Sequence, residues 1–217
     1  MTEMFVGTNE MNREQQFQHY RNFISHFNDA NLTFLEKKTV NQASNELWNK
    51  HRIGRITASR MDSALHAKNP CSKTLICDIM GYKKVGRMVP SIRYGQDNEI
   101  NARNKYLALF ADHHKNLAII PQGLHVDRKY PFLGASPDGL ITCDCHPKKI
   151  MEIKCPYSYR EGLKNWQQDK NFPLDENHKI KKNHQVYTQI QGQLAICNMD
   201  TCDLFINQSI NQSSEFI

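Results

Sequence analysis

Apolar positions near the start of the chain recur at helical spacing. Phe17, Tyr20, Phe23/Ile24 and Phe27 share a stripe within a segment rich in Gln and Asn, and predict one amphipathic helix before residue 46 whose stripe serves packing. Further on, Ile56, Thr57, Ala58 and Ser59 read as a turn entering a helix, with Thr57 or Ser59 as its cap. A helix is predicted over 73–80 between loops holding Pro70, Gly81, Gly86 and Pro90, and another from about residue 99 to 110. Along that second helix Glu99, Ala102, Tyr106 and Phe110 fall on one face, which puts Glu99 at its N-terminal end. Strand patterns follow at 117–120, 123–126, 132–135, 140–142 and 150–155, with a last one at 202–207. Residues 157–169 read as a helix, 171–183 as a charged loop, and 183–197 as a helix with Val186, Ile190, Leu194 and Cys197 on one stripe. The end of the chain repeats Ile-Asn-Gln-Ser and reads as a disordered tail.

These elements predict an α/β fold, a mixed central sheet flanked by helices. The expected organisation is a helical extension over 1–45, one domain over 46–207 and the tail over 208–217.

The densest chemistry lies between Gly134 and Pro156. In Ile150-Met151-Glu152-Ile153-Lys154-Cys155 strand alternation gives Glu152 and Lys154 one face and Met151, Ile153 and Cys155 the apolar other. Asp138 sits in Pro-Asp-Gly, strong turn chemistry, so a bend aims its carboxylate towards the pair. Two carboxylates held close repel unless a cation lies between them, and hard oxygen ligands suit Mg²⁺ or Mn²⁺. An adjacent lysine orients or deprotonates a water and stabilises charge on a phosphate, so metal-assisted phosphodiester hydrolysis is the chemistry this set suits.

Other groups admit plainer readings beside the chemical one. Arg52 near the helix start at 57–59 offers an anion site, or an ordinary capped helix beside a surface arginine. Glu99 compensates a helix dipole or meets a metal. Gln185, Gln189 and Gln193 step along one helix face, and amides can hydrogen-bond a metal-bound water or a phosphate. Cys143, Cys145 and His146 lie in the loop between Asp138 and Glu152; two thiols and an imidazole suit zinc, but no fourth ligand stands nearby in sequence, so a tight turn with free thiols is expected. Basic clusters at Lys50-His51-Arg52 with Arg55 and Arg60, at Lys83-Lys84-Arg87, at Lys148-Lys149 and at Lys179-Lys181-Lys182 read as solvated faces or phosphate contacts.

The formal charge is +6, from 28 basic and 22 acidic residues, a bias that fits a polyanionic partner. No apolar run is long enough to span a bilayer and no signal-peptide pattern opens the chain, so an intracellular protein is expected, in the nucleus or cytoplasm wherever its DNA lies. Seven cysteines without paired CxxC spacing are expected to be reduced and mostly buried.

Ser136-Pro137-Asp138 with Glu152-Ile153-Lys154 resembles the motif of the PD-(D/E)xK nucleases, whose core is restriction-endonuclease-like. Four ordered blocks resemble the YqaJ viral recombinase family, which includes phage lambda exonuclease: Trp48 to Ser59, Gly95 to Glu99, Gly134 to Pro156, and Tyr187 to Gln193. The resemblance spans roughly residues 48–207. It implies a metal-dependent exonuclease on double-stranded DNA, acting 5′→3′ in viral or mobile-element recombination, with one or two Mg²⁺ or Mn²⁺ ions. It implies Asp138, Glu152 and the Ile153 carbonyl as metal ligands, Glu99 as a further carboxylate acting directly or through water, Lys154 as the group that acts on the water, and Gln189 in the active site. Arg52 and Ser59 would bind the DNA 5′-phosphate, with Ser136 a third contact. DNA ends, a single-strand annealing protein and a homotrimer are the partners it implies. An endonuclease or structure-specific nuclease of the same superfamily, and an inactive DNA-binding module, are the other readings of the same residues.

Overall fold

A computed structural model describes residues 11–25, 28–69, 72–82 and 89–207. Its elements run α1 (Arg13–Ser25), α2 (Asp29–Lys38), α3 (Glu46–Arg52), β1 (Ile56–Thr57), α4 (Ala58–Leu65), α5 (Lys73–Ile79), α6 (Pro90–Phe110), β2 (Ala118–Ile120), β3 (His125–Val126), β4 (Leu133–Ala135), β5 (Gly139–Thr142), β6 (Lys149–Lys154), α7 (Gln185–Cys197) and β7 (Cys202–Ile206). The fold is mixed α/β, with two sheets where the strand pattern predicted one. The chain forms two compact units, Met1–Lys84 with Gln122–Ser136, and Val85–Pro121 with Pro137–Ile217. Among the described residues no helix is long and apolar enough to cross a membrane.

In the first unit two helices stand where one was predicted. Asn28 starts α2 by accepting from the Asn31 N–H at 2.9 Å. Phe17 of the predicted stripe is 54% exposed, so it is not packed as expected; the side chains of Tyr20, Phe23, Ile24 and Phe27 lie outside the described set. Leu35 of α2 packs with Trp48, Leu124 and Val126. Thr39 locks this contact: its hydroxyl donates to Leu35 O and accepts from Leu124 N, both at 2.7 Å. A Cβ on Gly123 would lie 1.9 Å from Glu36 O, so the approach of α2 requires glycine there.

The three-stranded sheet has order β1-β4-β3, with β1 parallel and β3 antiparallel to β4. Arg55, predicted on a solvated basic face, is fully buried. Its guanidinium donates from Nε to Pro131 O at 2.8 Å and from Nη1 to His51 O, tying α3 to the turn before β4. Thr57 occupies the cap position of α4, yet its hydroxyl makes no capping bond and lies 3.2 Å from the Ser59 hydroxyl instead. Ile56 and Thr57 are strand rather than turn because they pair with Leu133 and Gly134.

In the second unit the sheet order is β2-β5-β6-β7, antiparallel except for the β6–β7 pair. Helix α6 covers one face, packing Ala102 and Tyr106 on Ile141, Met151, Ile153 and Phe205. The Tyr106 hydroxyl donates to Asp203 Oδ2 at 2.5 Å, and Lys149 Nζ reaches the same oxygen at 2.7 Å. Lys149 is thus engaged in the fold rather than solvated. On the opposite face Val186 and Ile190 of α7 pack with Leu204, Ile206, Trp166, Phe172 and Leu174. Each such fully buried aliphatic or aromatic side chain contributes about 1.5–3 kcal/mol.

Three differences from the predicted elements have local causes. Helix α6 starts at Pro90, where a missing N–H costs nothing, so Glu99 lies in mid-helix. Residues 157–169 form two single 3₁₀ turns instead of a helix, because Gly162 (φ +116°) and Asn165 (φ +58°) take left-handed conformations between them. None of the six described cysteines is in a disulfide, and they are half-buried or exposed rather than mostly buried: Cys77 lies on α5, Cys197 ends α7, Cys155 and Cys202 stand at strand ends, and Cys143 and Cys145 lie in a loop. Lys83, Lys84, Arg87, Cys71 and the repeat-bearing tail lie outside the described residues.

Candidate active site

Strand β6 carries the centre of the site, and as one of the two interior strands of its sheet it is hydrogen-bonded on both edges. Alternation separates its side chains as predicted, but both faces are covered: Met151 and Ile153 sit under α6, while Glu152, only 3% exposed, faces α7. A buried carboxylate must be satisfied, and Glu152 accepts three donors. Its Oε1 accepts from Lys154 Nζ and from Gln189 Nε2, both at 2.6 Å, and its Oε2 accepts from Gln193 Nε2 at 2.6 Å. Gln189 Oε1 in turn accepts from Lys154 Nζ at 3.1 Å. The i, i+4 spacing of Gln189 and Gln193 sets both amides on the face of α7 that meets this carboxylate.

Asp138 sits at the predicted bend between β4 and β5, and its Oδ2 accepts the Ile153 N–H at 2.6 Å. The following glycine is needed for room: a Cβ on Gly139 would lie 2.5 Å from Ile119 Cγ2. Burial drives the Asp138 carboxyl well above the usual carboxylate range, the charges of Glu152 and Glu99 add to this, and the Ile153 N–H and Lys154 only partly oppose it. Burial also raises Glu99, against the pull of Arg103. Glu99 is held by Arg103, one turn on, in a close ion pair. For Lys154, burial works to lower the pKa, but Glu152 and Asp138 outweigh it and the amine is raised. The donor set is hard oxygen with excess negative charge around Asp138, which fits a small divalent cation. Asp138, Glu152 and the Ile153 carbonyl are the groups that would hold one.

The first unit holds a separate cluster. The Arg52 guanidinium lies 3.9 Å from the Trp48 ring centroid and donates to the Ser59 hydroxyl at 3.4 Å, while Trp48 Nε1 donates to Ser136 Oγ at 2.9 Å. Arg52, Ser59 and Ser136 are therefore joined through Trp48. Burial, then repulsion from Arg60, lowers Arg52 to about 10 against the pull of Asp78, so it remains a cation at neutral pH.

The family model for the YqaJ-like viral recombinase domain matches residues 47–200. The chain belongs to this family. No curated protein matches it. Among solved structures, this YqaJ-like domain is similar to an alkaline exonuclease of Laribacter hongkongensis, with 23% identity over 80% of this chain and 81% of that one, at a TM-score of 0.56. The same exonuclease in complex with dAMP aligns at 0.59, with 22% identity over 80% and 82%. The Shutoff and Exonuclease protein of Kaposi's sarcoma-associated herpesvirus aligns at 0.54, with 12% identity over 94% of this chain and 65% of that one. At these identities the likeness is one of fold.

Of the residues singled out from the YqaJ-like sequence, Asp138, Glu152, Lys154 and Gln189 come together, and Arg52, Ser59 and Ser136 form the second group. Glu99 lies near enough for its charge to raise Asp138 and for Glu152 to raise it in turn, while Arg103 pairs with it. Gly95 is open: a Cβ there would meet nothing within 4 Å. Sequence reasoning gave Gln193 no specific role and passed over Trp48 and Arg103. The i+4 spacing of Gln193 from Gln189, and of Arg103 from Glu99, was the available signal for two of them.

Proposed function

We propose that the chain is a divalent-cation-dependent exonuclease that degrades one strand of duplex DNA from its 5′ end, in recombination or DNA processing of a viral or mobile element. The observation that carries this reading is the locked set on β6, a buried carboxylate held by a lysine and two amides beside a second, charge-strained carboxylate. Family membership, and a similarly folded exonuclease that binds dAMP, support it.

A cation held by Asp138, Glu152 and the Ile153 carbonyl, Mg²⁺ or Mn²⁺ with Glu99 near it or at a second ion, would supply Lewis-acid stabilisation of the leaving oxygen. Gln189 and Gln193 fix both oxygens of Glu152 and so its orientation; they are positioning residues. Lys154, hydrogen-bonded to Glu152 and Gln189, would orient the attacking water and offset charge growing on the phosphate; a cation bound at these carboxylates would offset their pull on the amine and let it take the water's proton. Arg52 and Ser59, with Ser136 braced by Trp48, would hold the terminal 5′-phosphate. Duplex ends are the substrate, and a homotrimer and a single-strand annealing partner complete the proposal.

The polarity is tested by comparing linear duplexes with and without a 5′-phosphate. Wild type is expected to degrade the phosphorylated end faster by about 10-fold or more, a charge-assisted contact being worth roughly 1.5–3 kcal/mol. Arg52→Ala is expected to erase the difference while still degrading the unphosphorylated end. A preference that survives Arg52→Ala would remove this cluster from end recognition.

The charge strain at Asp138 gives a second expected result. A raised folded-state pKa contributes stability that is complete below the ordinary value near 3.8 and is lost as pH rises through the raised value. In EDTA, wild type should therefore lose Tm relative to Asp138→Asn as pH rises from 4 to about 8. Mg²⁺ should restore wild type and leave Asp138→Asn unmoved. Equal Mg²⁺ shifts in both proteins would place the cation elsewhere.

A further inference from the structure

Antiparallel register brings one more set of side chains together, away from the centre on Glu152. Ala118 pairs with Thr142 across β2 and β5. Continued outward past the strand ends, that register sets Asn116 opposite Asp144 and His114 opposite His146. The two segments are joined there: the Asp144 N–H donates to Lys115 O at 2.9 Å, and Asn116 Nδ2 donates to Asp144 Oδ2 at 2.7 Å. His114, just beyond the end of α6, thereby supplies the fourth ligand that the loop sequence lacks.

The ligand atoms of His114, Cys143, Cys145 and His146 all lie within 4.8 Å of one another; among the described residues this is the one group of three or more His, Cys, Asp or Glu side chains so placed. Cys143 Sγ and Cys145 Sγ are 3.4 Å apart. Cys143 Sγ lies 3.7 Å from His146 Nδ1, Cys145 Sγ lies 3.5 Å from His114 Nδ1, and the two Nδ1 atoms are 3.2 Å apart. With Zn–S near 2.3 Å and Zn–N near 2.0–2.1 Å, a tetrahedron has edges of about 3.8 Å for S to S, about 3.5 Å for S to N and about 3.3 Å for N to N. The four measured edges agree with these to within a few tenths of an ångström.

We propose that His114, Cys143, Cys145 and His146 bind one Zn²⁺ in a closed tetrahedral site. Thiolate and imidazole are ligands for zinc and poor ones for Mg²⁺, so this site is chemically distinct from the carboxylate centre. All four positions are filled by protein, which leaves none for water or substrate and makes the site structural. It clips the end of α6 to the loop of the β5–β6 hairpin, whose strands carry Glu152 and Lys154 and follow Asp138.

The test uses the full chain, purified under reducing conditions without added metal and analysed for zinc by mass spectrometry. About one zinc per chain is expected, falling to near zero in Cys143→Ser/Cys145→Ser and unchanged in Asp138→Asn. Because the cysteine variant is able to lose structure, Co²⁺ is also added to metal-stripped wild type, where a thiolate-to-cobalt charge-transfer band saturating at about one equivalent is expected. Zinc displacing that band supports the site. No band in wild type, zinc retained in the double cysteine variant, or a Cys143–Cys145 disulfide in the reduced-purified protein would overturn it.

Discussion

Lys154→Ala is expected to lower nucleotide release from duplex DNA by about 10²–10³-fold or more, the usual cost of removing a preorganised charge-stabilising donor, with duplex binding largely intact. The expectation rests on where the amine sits. Its Nζ is hydrogen-bonded at once to Glu152 Oε1 and Gln189 Oε1, and against burial the flanking carboxylates raise its pKa. Loss of the ammonium removes the cation bonded to Glu152 and, on the proposed mechanism, the group that would face developing negative charge. Phosphate contacts generally dominate the affinity of proteins for duplex DNA, so binding should not follow activity down. Single-turnover cleavage together with a gel-shift titration separates the two; cleavage at the wild-type rate would remove Lys154 from the mechanism.

The largest expected effect on stability is at Arg55. Alanine there deletes a fully buried side chain and its charge-assisted bonds to the Pro131 and His51 carbonyls. Burial holds the guanidinium down to about 10, so it is charged at neutral pH and gives these bonds their full strength. A loss of about 3 kcal/mol is expected, which for a chain of this size lowers Tm by about 6–12 °C. Arg55→Lys should recover little, because an ammonium cannot reproduce the planar fork that reaches both carbonyls. A thermal melt shifted by less than about 2 °C would show that the α3–β4 connection does not depend on it.

Much of this was legible in the chain because it depends on short periodicities. The alternation in 150–155 placed Glu152 and Lys154 on one side, Pro137 and Gly139 placed Asp138 at a bend, and the four-residue step from Gln189 to Gln193 set two amides on one helix face. What escaped depends on partners distant in sequence. Arg55 looks like one more surface cation until Pro131, 76 residues away, is seen to accept its Nε–H. His114 looks like a loop histidine until the β2–β5 register sets it beside Cys145. No local pattern shows that the Trp48 ring supports Arg52 while its N–H holds Ser136. The helix predicted over 157–169 failed for a local reason: apolar spacing alone did not weigh Gly162 and Asn165, which turn the backbone left-handed.

In the proposed reaction the Asp138, Glu152 and Lys154 set performs cation-dependent hydrolysis from a DNA end. The most direct measurement follows acid-soluble nucleotide from one duplex in three forms, linear, nicked circular and covalently closed, each in Mg²⁺ and in EDTA. Release from the linear form is expected in Mg²⁺, none in EDTA, with covalently closed circles left intact. Cutting of closed circles would instead make the protein an endonuclease on the same fold, and DNA binding without release in Mg²⁺ or Mn²⁺ would contradict the catalytic reading altogether.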